Sequence, residues 1–402
     1  MSSPYADTEV THTSYSARLI DALKGIVLGL ILIVVSVGLL YWNEGREDMS
    51  RVAARAQPLI GAQRNTDATV NEKLVAITGT LASDEQLGDS LSARGGGANY
   101  VDLGSITLKP ADYIDLHRRV ESYSWVEQKQ TTTQKDTVGG GETQQTTYSY
   151  VKKWVEQPPD SSGFKTPEGH KNPPAVAVSD DKRVGAAAVG VYSFNVSQVQ
   201  LPDLTPVSLS PDRLDLKGSV TLADTQHLFL GQGTYASPEI GDIRVSYTGL
   251  PGHQLVTLFG RLNGESVDAY TDPQDHQLYR ILPGTKEDAI ARMHGEFSRL
   301  TWILRGVGFG IMWLGFFLIV NPLVVLLDIV GVAGALGGAL LSVGTFLLAL
   351  IISVAVIVVS LVLHNLLVVL LVVVVGTAAL VGLLHLVRTG KGPRWHSEGA
   401  IR

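Results

Sequence analysis

The sequence predicts a membrane protein with four transmembrane α-helices and a large β-rich (α+β) extracytoplasmic domain between the first and second spans. Three observations predict it. Charged residues make up only 17% of the 402, against roughly 25% in an ordinary soluble chain. From Gly306 to Val387 the only Asp, Glu, Lys or Arg is Asp328, and a stretch of that kind belongs in lipid. The middle of the chain shows short runs of strand-like apolar residues punctuated by proline and glycine. The composition excludes collagen-like, disulfide-scaffold and disordered classes, since cysteine is absent and apolar residues are plentiful.

Residues 1–24 read as a cytoplasmic N-terminal tail. The first span is 25–42, uncharged and ending in Tyr41-Trp42, an aromatic pair suited to an interface. A cleaved signal peptide is the rival reading, but Asn43-Glu44-Gly45-Arg46 is not a small-residue cleavage site. The second span is 300–320, where Arg305 can snorkel and Asn321-Pro322 is expected to end the helix. The third is 340–363 and the fourth 366–387. Residues 321–339, apolar but glycine-rich, read as an interfacial or re-entrant segment, with a fifth span as the alternative. The tail 388–402 holds Arg388, Lys391, Arg394 and Arg402 against Glu398 and is expected to stay cytoplasmic. Four spans then place both termini in the cytoplasm and 43–299 on the other side, periplasmic or lumenal.

Residues 44–299 carry 25 Lys and Arg against 33 Asp and Glu. That acidic balance argues against a nucleic-acid partner. Leu74 to Leu81, Val184 to Phe194, Ser219 to Leu222 and Ile243 to Tyr247 read as strands. Leu255 to Leu262 echoes Leu74 to Leu81, with glycine at the same offset; two copies of a small β unit and two unrelated strands are both open, as are one folding unit or two. A long hairpin is better defined. Alternation puts Glu121, Tyr123, Trp125 and Glu127 on one face, and Tyr148, Tyr150, Lys152 and Trp154 on one face of its partner. The aromatics Tyr123, Trp125, Tyr148, Tyr150 and Trp154 read as sheet packing or as a docking ridge for another protein. Helical stalks are expected over Asn43 to Gln57 and Lys286 to Val320, the second opened by a Thr285/Asp288 capping pair.

Motifs for chemistry are missing. The ten histidines show no metal spacing, and neither a phosphate-binding loop nor a nucleophile elbow occurs. Gly88-Asp89-Ser90-Leu91 resembles a serine-esterase signature but lacks the downstream Asp-x-x-His of that family. No catalytic residue, metal or cofactor is expected. The loop Gly169-His170-Lys171-Asn172-Pro173 is a structural or functional candidate through Gly169, His170, Asn172 and Pro173. Asn43, Glu44 and Arg46 are candidates for a juxtamembrane contact. Asp328 is the candidate intramembrane polar site. Gly25 and Gly29, Gly306 and Gly310, and Gly334 and Gly338 are each four apart, a spacing that lets helices approach closely.

Several of these motifs, in this order, resemble the transmembrane protein 43 (LUMA) family. They are Asn43-Glu44-Gly45-Arg46, Arg119-Val120-Glu121 with Tyr123 and Trp125-Val126-Glu127, Tyr148-Ser149-Tyr150 with Trp154, and Gly169 to Pro173. Gly241-Asp242 with Arg244-Val245-Ser246, and then Thr301-Trp302, complete them. The resemblance implies four spans, a large lumenal domain, self-association and no catalytic activity. It implies endoplasmic reticulum and inner nuclear membrane for animal members, with lamins and emerin as partners. For a bacterial homologue those partners do not carry over, and the membrane is the cytoplasmic one. The leading expectation is a non-enzymatic membrane scaffold that forms a homo-oligomer and organises membrane or envelope proteins in the lipid bilayer. A channel or transport component using Asp328 is the alternative, and a membrane enzyme with a non-motif active site the second.

Overall fold

The computed structural model describes residues 7–65, 67–94, 102–136, 141–174, 177–328 and 332–364. The expected fourth span and basic tail, 366–402, lie outside them. The chain divides into a β-rich unit (1–12, 48–134 and 143–297) and a helical unit (13–47, 135–142 and 298–402).

The β-rich unit has two main cores. The first fills a small closed barrel. Strand β3 (Leu74–Ala82) pairs antiparallel with β16 (Leu255–Asn263) along one edge. Its other edge is shared by β2 (Gln57–Ile60) and β9 (Ala186–Val189). From β9 the barrel continues through β10 (Tyr192–Asn195) and, by a parallel step, β17 (Ser266–Asp268) back to β16. Strand β20 (Arg280–Pro283) extends the sheet beyond β16. The echo between Leu74–Leu81 and Leu255–Leu262 therefore marks neighbouring strands of one barrel, not two copies of a unit. Both runs are buried on two faces, which is why they read as continuous apolar segments. Val75, Ile77, Leu81, Val256, Leu258 and Phe194 meet inside, each fully buried side chain contributing about 1.5–3 kcal/mol.

The second core lies between two further sheets. One runs β1 (Asp7–Thr13), β7 (Glu142–Val155), β6 (Tyr113–Lys135), β15 (Ile243–Pro251), β14 (Leu228–Leu230) and β13 (Val220–Leu222). Strands β8 (Asp180–Arg183) and β11 (Thr205–Pro206) flank β6 and β15. The other is β4 (Leu87–Arg94), β5 (Asp102–Ala111) and β12 (Leu214–Gly218). Leu108, Leu116, Leu228, Val245 and Tyr247 pack between them. A minor pair, β18 (Tyr270–Thr271) and β19 (Gln277–Leu278), covers a third cluster.

Three described helices are long and apolar enough to cross a bilayer. The first, α1 (Tyr15–Glu44), starts at the cap Ser14, whose hydroxyl accepts from Ala17 N. The expected stalk 43–57 is interrupted at Gly45. A short α2 (Met49–Ala54) restarts at Asp48, which accepts from Ser50 N at 3.0 Å. In α3 (Lys286–Leu327) the expected capping pair forms: Thr285 N and Oγ1 both donate to Asp288 Oδ2. This helix does not end at Asn321-Pro322 but continues to Leu327. Proline costs it one hydrogen bond, at the Leu318 carbonyl, and Gly25 of α1 lies near that same carbonyl. The last described helix, α4, is Val332–His364. Residues 321–327 thus belong to α3 and 332–339 to α4.

The division at α1 is also corrected. Residues 7–13 are strand β1, hydrogen-bonded beside β7, not part of a detached tail. Tyr148 donates to Glu9 Oε2 at 3.1 Å, Lys165 Nζ lies 3.4 Å from the same oxygen, and Thr166 Oγ1 donates to Asp7. Residues 7–12 thus belong to the β-rich unit.

Candidate functional site

In the helical unit, small residues set the contact of α1 with α3. A Cβ on Gly29 would fall 2.6 Å from Gly315 O, one on Gly315 would meet Gly29 O at 2.9 Å, and one on Gly308 would meet Leu40 at 2.5 Å. Ser36 Oγ donates to Gly308 O at 2.7 Å. Gly306 and Gly310, expected at the interface, have nothing within 4 Å of an added Cβ. The reason is rotational. At 100° per residue, positions two before and two after Gly308 point to the far side of α3, whereas Gly315, seven on, returns to the same face. Gly25 makes looser contact with Leu318, and Gly338 approaches Val324 at 3.2 Å; the surroundings of Gly334 lie outside the described residues.

At the end of α1 the juxtamembrane candidates assemble a polar lock. Arg305 donates through Nε and Nη2 to the two Glu44 oxygens, at 2.8 and 2.7 Å, and the Glu44 side chain is 2% exposed. Asn43 Nδ2 donates to Thr301 O at 3.2 Å. Arg46 donates to Asn43 Oδ1 and covers the Trp42 ring, while Arg305 covers Trp302. Gly45 leaves room for His364, whose ring lies 4.5 Å from Tyr41, and Ser360 donates to Tyr41 O. The four residues 43–46 thereby tie the end of α1 to the middle of α3 and stand beside the end of α4. The sequence named three members but not Arg305. The signal was present: Arg305 is the lone cation inside the second span.

Asp328 is not an unpaired intramembrane acid. Arg18 Nη2 donates to its Oδ2 at 2.8 Å and Lys135 Nζ at 2.7 Å, and Arg18 Nε lies 3.2 Å from Glu142. Its side chain is 6% exposed, so two cations compensate a carboxylate that would be costly alone.

The β-rich unit brings the aromatic hairpin and the 169–173 loop into one cluster. Asn172 clamps the backbone of β6. Trp125 N donates to Asn172 Oδ1 at 2.7 Å, and Asn172 Nδ2 donates to Trp125 O at 2.9 Å and Pro159 O at 3.0 Å. The side chain mimics a strand partner where no strand runs. His170 stacks on Tyr150 at 3.8 Å, meets Trp125 edge-on at 4.8 Å, and donates from Nδ1 to Thr166 O. Tyr150 donates to Glu127 and accepts from Thr166 N. Tyr123 packs on Trp154 at 5.2 Å, which Arg244 covers. Gly169 adopts φ 80°, open to glycine without strain, and Gly241 at φ 98° sits against Pro173. Residues 159–173 thus cover the Trp125, Tyr148 and Tyr150 part of the aromatic face, with Tyr148 and Tyr150 buried, while Tyr123, Trp125 and Trp154 are half-buried. These contacts are those of sheet packing, the first of the two readings of these aromatics.

Two further polar centres escaped the sequence reading. Asp89, in β4, accepts from Arg118 Nη1 and Lys182 Nζ, each at 2.6 Å, and from Tyr247 OH at 2.9 Å. Burial pushes the Asp89 carboxyl up, but the Lys182 and Arg118 hydrogen bonds outweigh it and hold it below the usual carboxylate range. Burial, then the Asp89 charge, pushes the Tyr247 phenol well up. The esterase-like run is therefore a structural ion-pair strand. Asp242 accepts from Gln232 N, Gly233 N and Glu239 N and organises the turn before β15. Among the described residues, no cluster of three metal-ligating side chains occurs.

These motif-bearing turns and clamps coincide with a known family. A family profile described as Transmembrane protein 43 matches residues 122–366, well over half of the chain. The chain belongs to the transmembrane protein 43 family. Similar proteins include Transmembrane protein 43 of Rattus norvegicus, 27% identical over 77% of each chain, and that of Homo sapiens, 28% identical over 77% of each. The Transmembrane protein 43 homolog of Drosophila melanogaster is 24% identical over 72% of this chain and 74% of its own. No solved structure matches. For this family member the profile takes in the Asn172 clamp, Asp242, the Arg305 side of the polar lock and Asp328. Glu44 lies upstream of it.

Proposed function

We propose that this transmembrane protein 43 family member is a non-enzymatic membrane scaffold. It self-associates in the bilayer and organises membrane or envelope protein partners, with its basic C-terminal tail in the cytoplasm. The observation that carries this reading is the use of the polar groups in the helical unit. Glu44, Asn43 and Ser36 join α1 to α3, and Asp328 holds Arg18 and Lys135. A transport path needs polar groups that a passing ion or proton can engage; these are already bonded to one another. The catalytic reading is weakened in the same way. His170 is sandwiched between rings and tied to a backbone carbonyl, and Asp89 is saturated by two cations and a phenol.

Asp328→Asn separates scaffold from conduit. The scaffold reading expects the assembled species to persist in native-lipid particles, with ion and proton flux in proteoliposomes equal to that of empty vesicles for both forms. Flux through the parent protein that Asp328→Asn abolishes would establish a conduit instead.

A further inference from the structure

Beside the third core cluster, the β-rich unit holds an open pocket of about 340 Å³, walled by α2, the entry to β3 and the turn from β18 to β19. That volume falls at the small end of ligand sites. Its apolar lining belongs to the cluster: Val52 and Leu74 are buried there, and Tyr270 packs against it.

Four charged side chains line the pocket, and the two acids are already engaged. Glu72 Oε2 lies 3.2 Å from Arg261 Nη1. Asp272 organises its own turn: Oδ1 accepts from Gln274 N at 2.9 Å and His276 N at 2.8 Å, and Oδ2 lies 3.0 Å from His276 Nδ1. The two cations differ. Among the described residues, the exposed side chains of Arg55 and Lys73 make no hydrogen bond or ion pair, and Lys73 acts on Asp67 only through space. The Tyr270 hydroxyl and the Gln57 amide, which also line the pocket, are likewise without a partner among the described residues. Helix carbonyls beside Arg55 would repel an anion, but Lys286 Nζ donates to Ala54 O at 3.3 Å and Ala56 O at 2.6 Å and offsets them. Exposed cations on a convex surface are ordinary. These two share a concavity with an aromatic hydroxyl and an amide, all of them donors.

We propose that this pocket binds a phosphate monoester, carried by a lipid headgroup or by a soluble molecule. The Arg55 guanidinium offers a planar fork to two phosphate oxygens, and Lys73 adds a point charge. Tyr270 and Gln57 supply neutral donors, and Val52, Leu74 and the Tyr270 ring take the organic part. A terminal phosphate brings three acceptor oxygens and up to about two charges, which matches two cations; a carboxylate brings two oxygens and one charge. The site does not depend on self-association, so either reading can fail alone.

Lysine reactivity tests it in the full-length protein. The protein in phosphatidylcholine nanodiscs is acetylated, and modification of Lys73 is read by mass spectrometry against Lys217, an exposed lysine of β12 outside the pocket. Glycerol 3-phosphate, at ionic strength held constant with sodium chloride, is the soluble probe. Nanodiscs containing phosphatidic acid are the headgroup probe. At about four times the half-protecting concentration, acetylation of Lys73 should slow about fivefold by mass action, with Lys217 unchanged. Protection by glycerol 3-phosphate assigns a soluble ligand, protection by phosphatidic acid alone assigns a headgroup, and protection by both fits one site open to either. Arg55→Gln should raise the half-protecting amount of the effective probe about tenfold or more, the loss of one charge-assisted contact. Its unfolding temperature should match the parent, since the Arg55 side chain has no partner to lose among the described residues. Failure of both probes to protect Lys73 would overturn the proposal. So would equal slowing at Lys73 and Lys217, or protection that Arg55→Gln leaves intact.

Discussion

Replacing Asn172 tests whether the 159–173 segment is held by a side chain acting as a strand. Its side chain makes three hydrogen bonds, at 2.7, 2.9 and 3.0 Å, to Trp125 N, Trp125 O and Pro159 O. At about 1 kcal/mol net each, and with part of that recovered by water because the site is half-buried, Asn172→Ala should cost about 2–3 kcal/mol. For a unit of this size that corresponds to a fall in Tm of about 5–10 °C. Asn172→Asp should cost at least as much at neutral pH. It keeps the acceptor for Trp125 N but turns a carboxylate toward two carbonyl oxygens, and acidification should recover part of the loss as the acid gains a proton to donate. The assay is thermal unfolding in nanodiscs followed by tryptophan fluorescence, paired with tryptic cleavage at Lys165 and Lys171. The reasoning is refuted if both variants unfold within 1 °C of the parent, on the scale set above, and cleavage is no faster.

Three further outcomes are expected. Glu44→Gln and Arg305→Gln should each destabilise the helical unit by about 2–4 kcal/mol, with the double variant well short of their sum; an additive cycle would show the lock to be idle. Gly29→Leu and Gly315→Leu should weaken detergent resistance sharply, while Gly306→Leu and Gly310→Leu should not, and equal effects would contradict the packing described. The depressed Asp89 carboxyl sets a pH dependence. Because its folded pKa lies below the unfolded value near 3.9, its contribution is present above that value and lost as pH falls through the folded pKa. Asp89→Asn should flatten the acid limb of the stability profile, and an unchanged limb would assign acid lability to other groups.

The helices and the hairpin were legible because each writes a period into the sequence. The described part of the nearly uncharged run from Gly306 on forms helices long and apolar enough to cross a bilayer, and the alternation through Glu121, Tyr123, Trp125 and Glu127 placed those side chains on one face. What escaped was pairing across distance. Nothing local couples Glu44 to Arg305, 261 residues away, or Asp328 to Arg18, 310 away. Glycine spacing misled for a related reason. Four-residue intervals name a face, but only the partner helix decides which face is used, so Gly308 and Gly315 took the place of Gly306 and Gly310. Strand β1 was missed because short polar edge strands carry no apolar face, and the Asn172 clamp because a side chain standing in for a strand leaves only a loop-like sequence behind.

The central claim is self-assembly in the membrane, and the mass of the full-length protein in native-lipid particles tests it most directly. After the protein-free particle is subtracted, the account predicts a discrete multiple of the 43.1 kDa chain, retained on dilution. A single chain per particle, unchanged as the protein is concentrated, would contradict it.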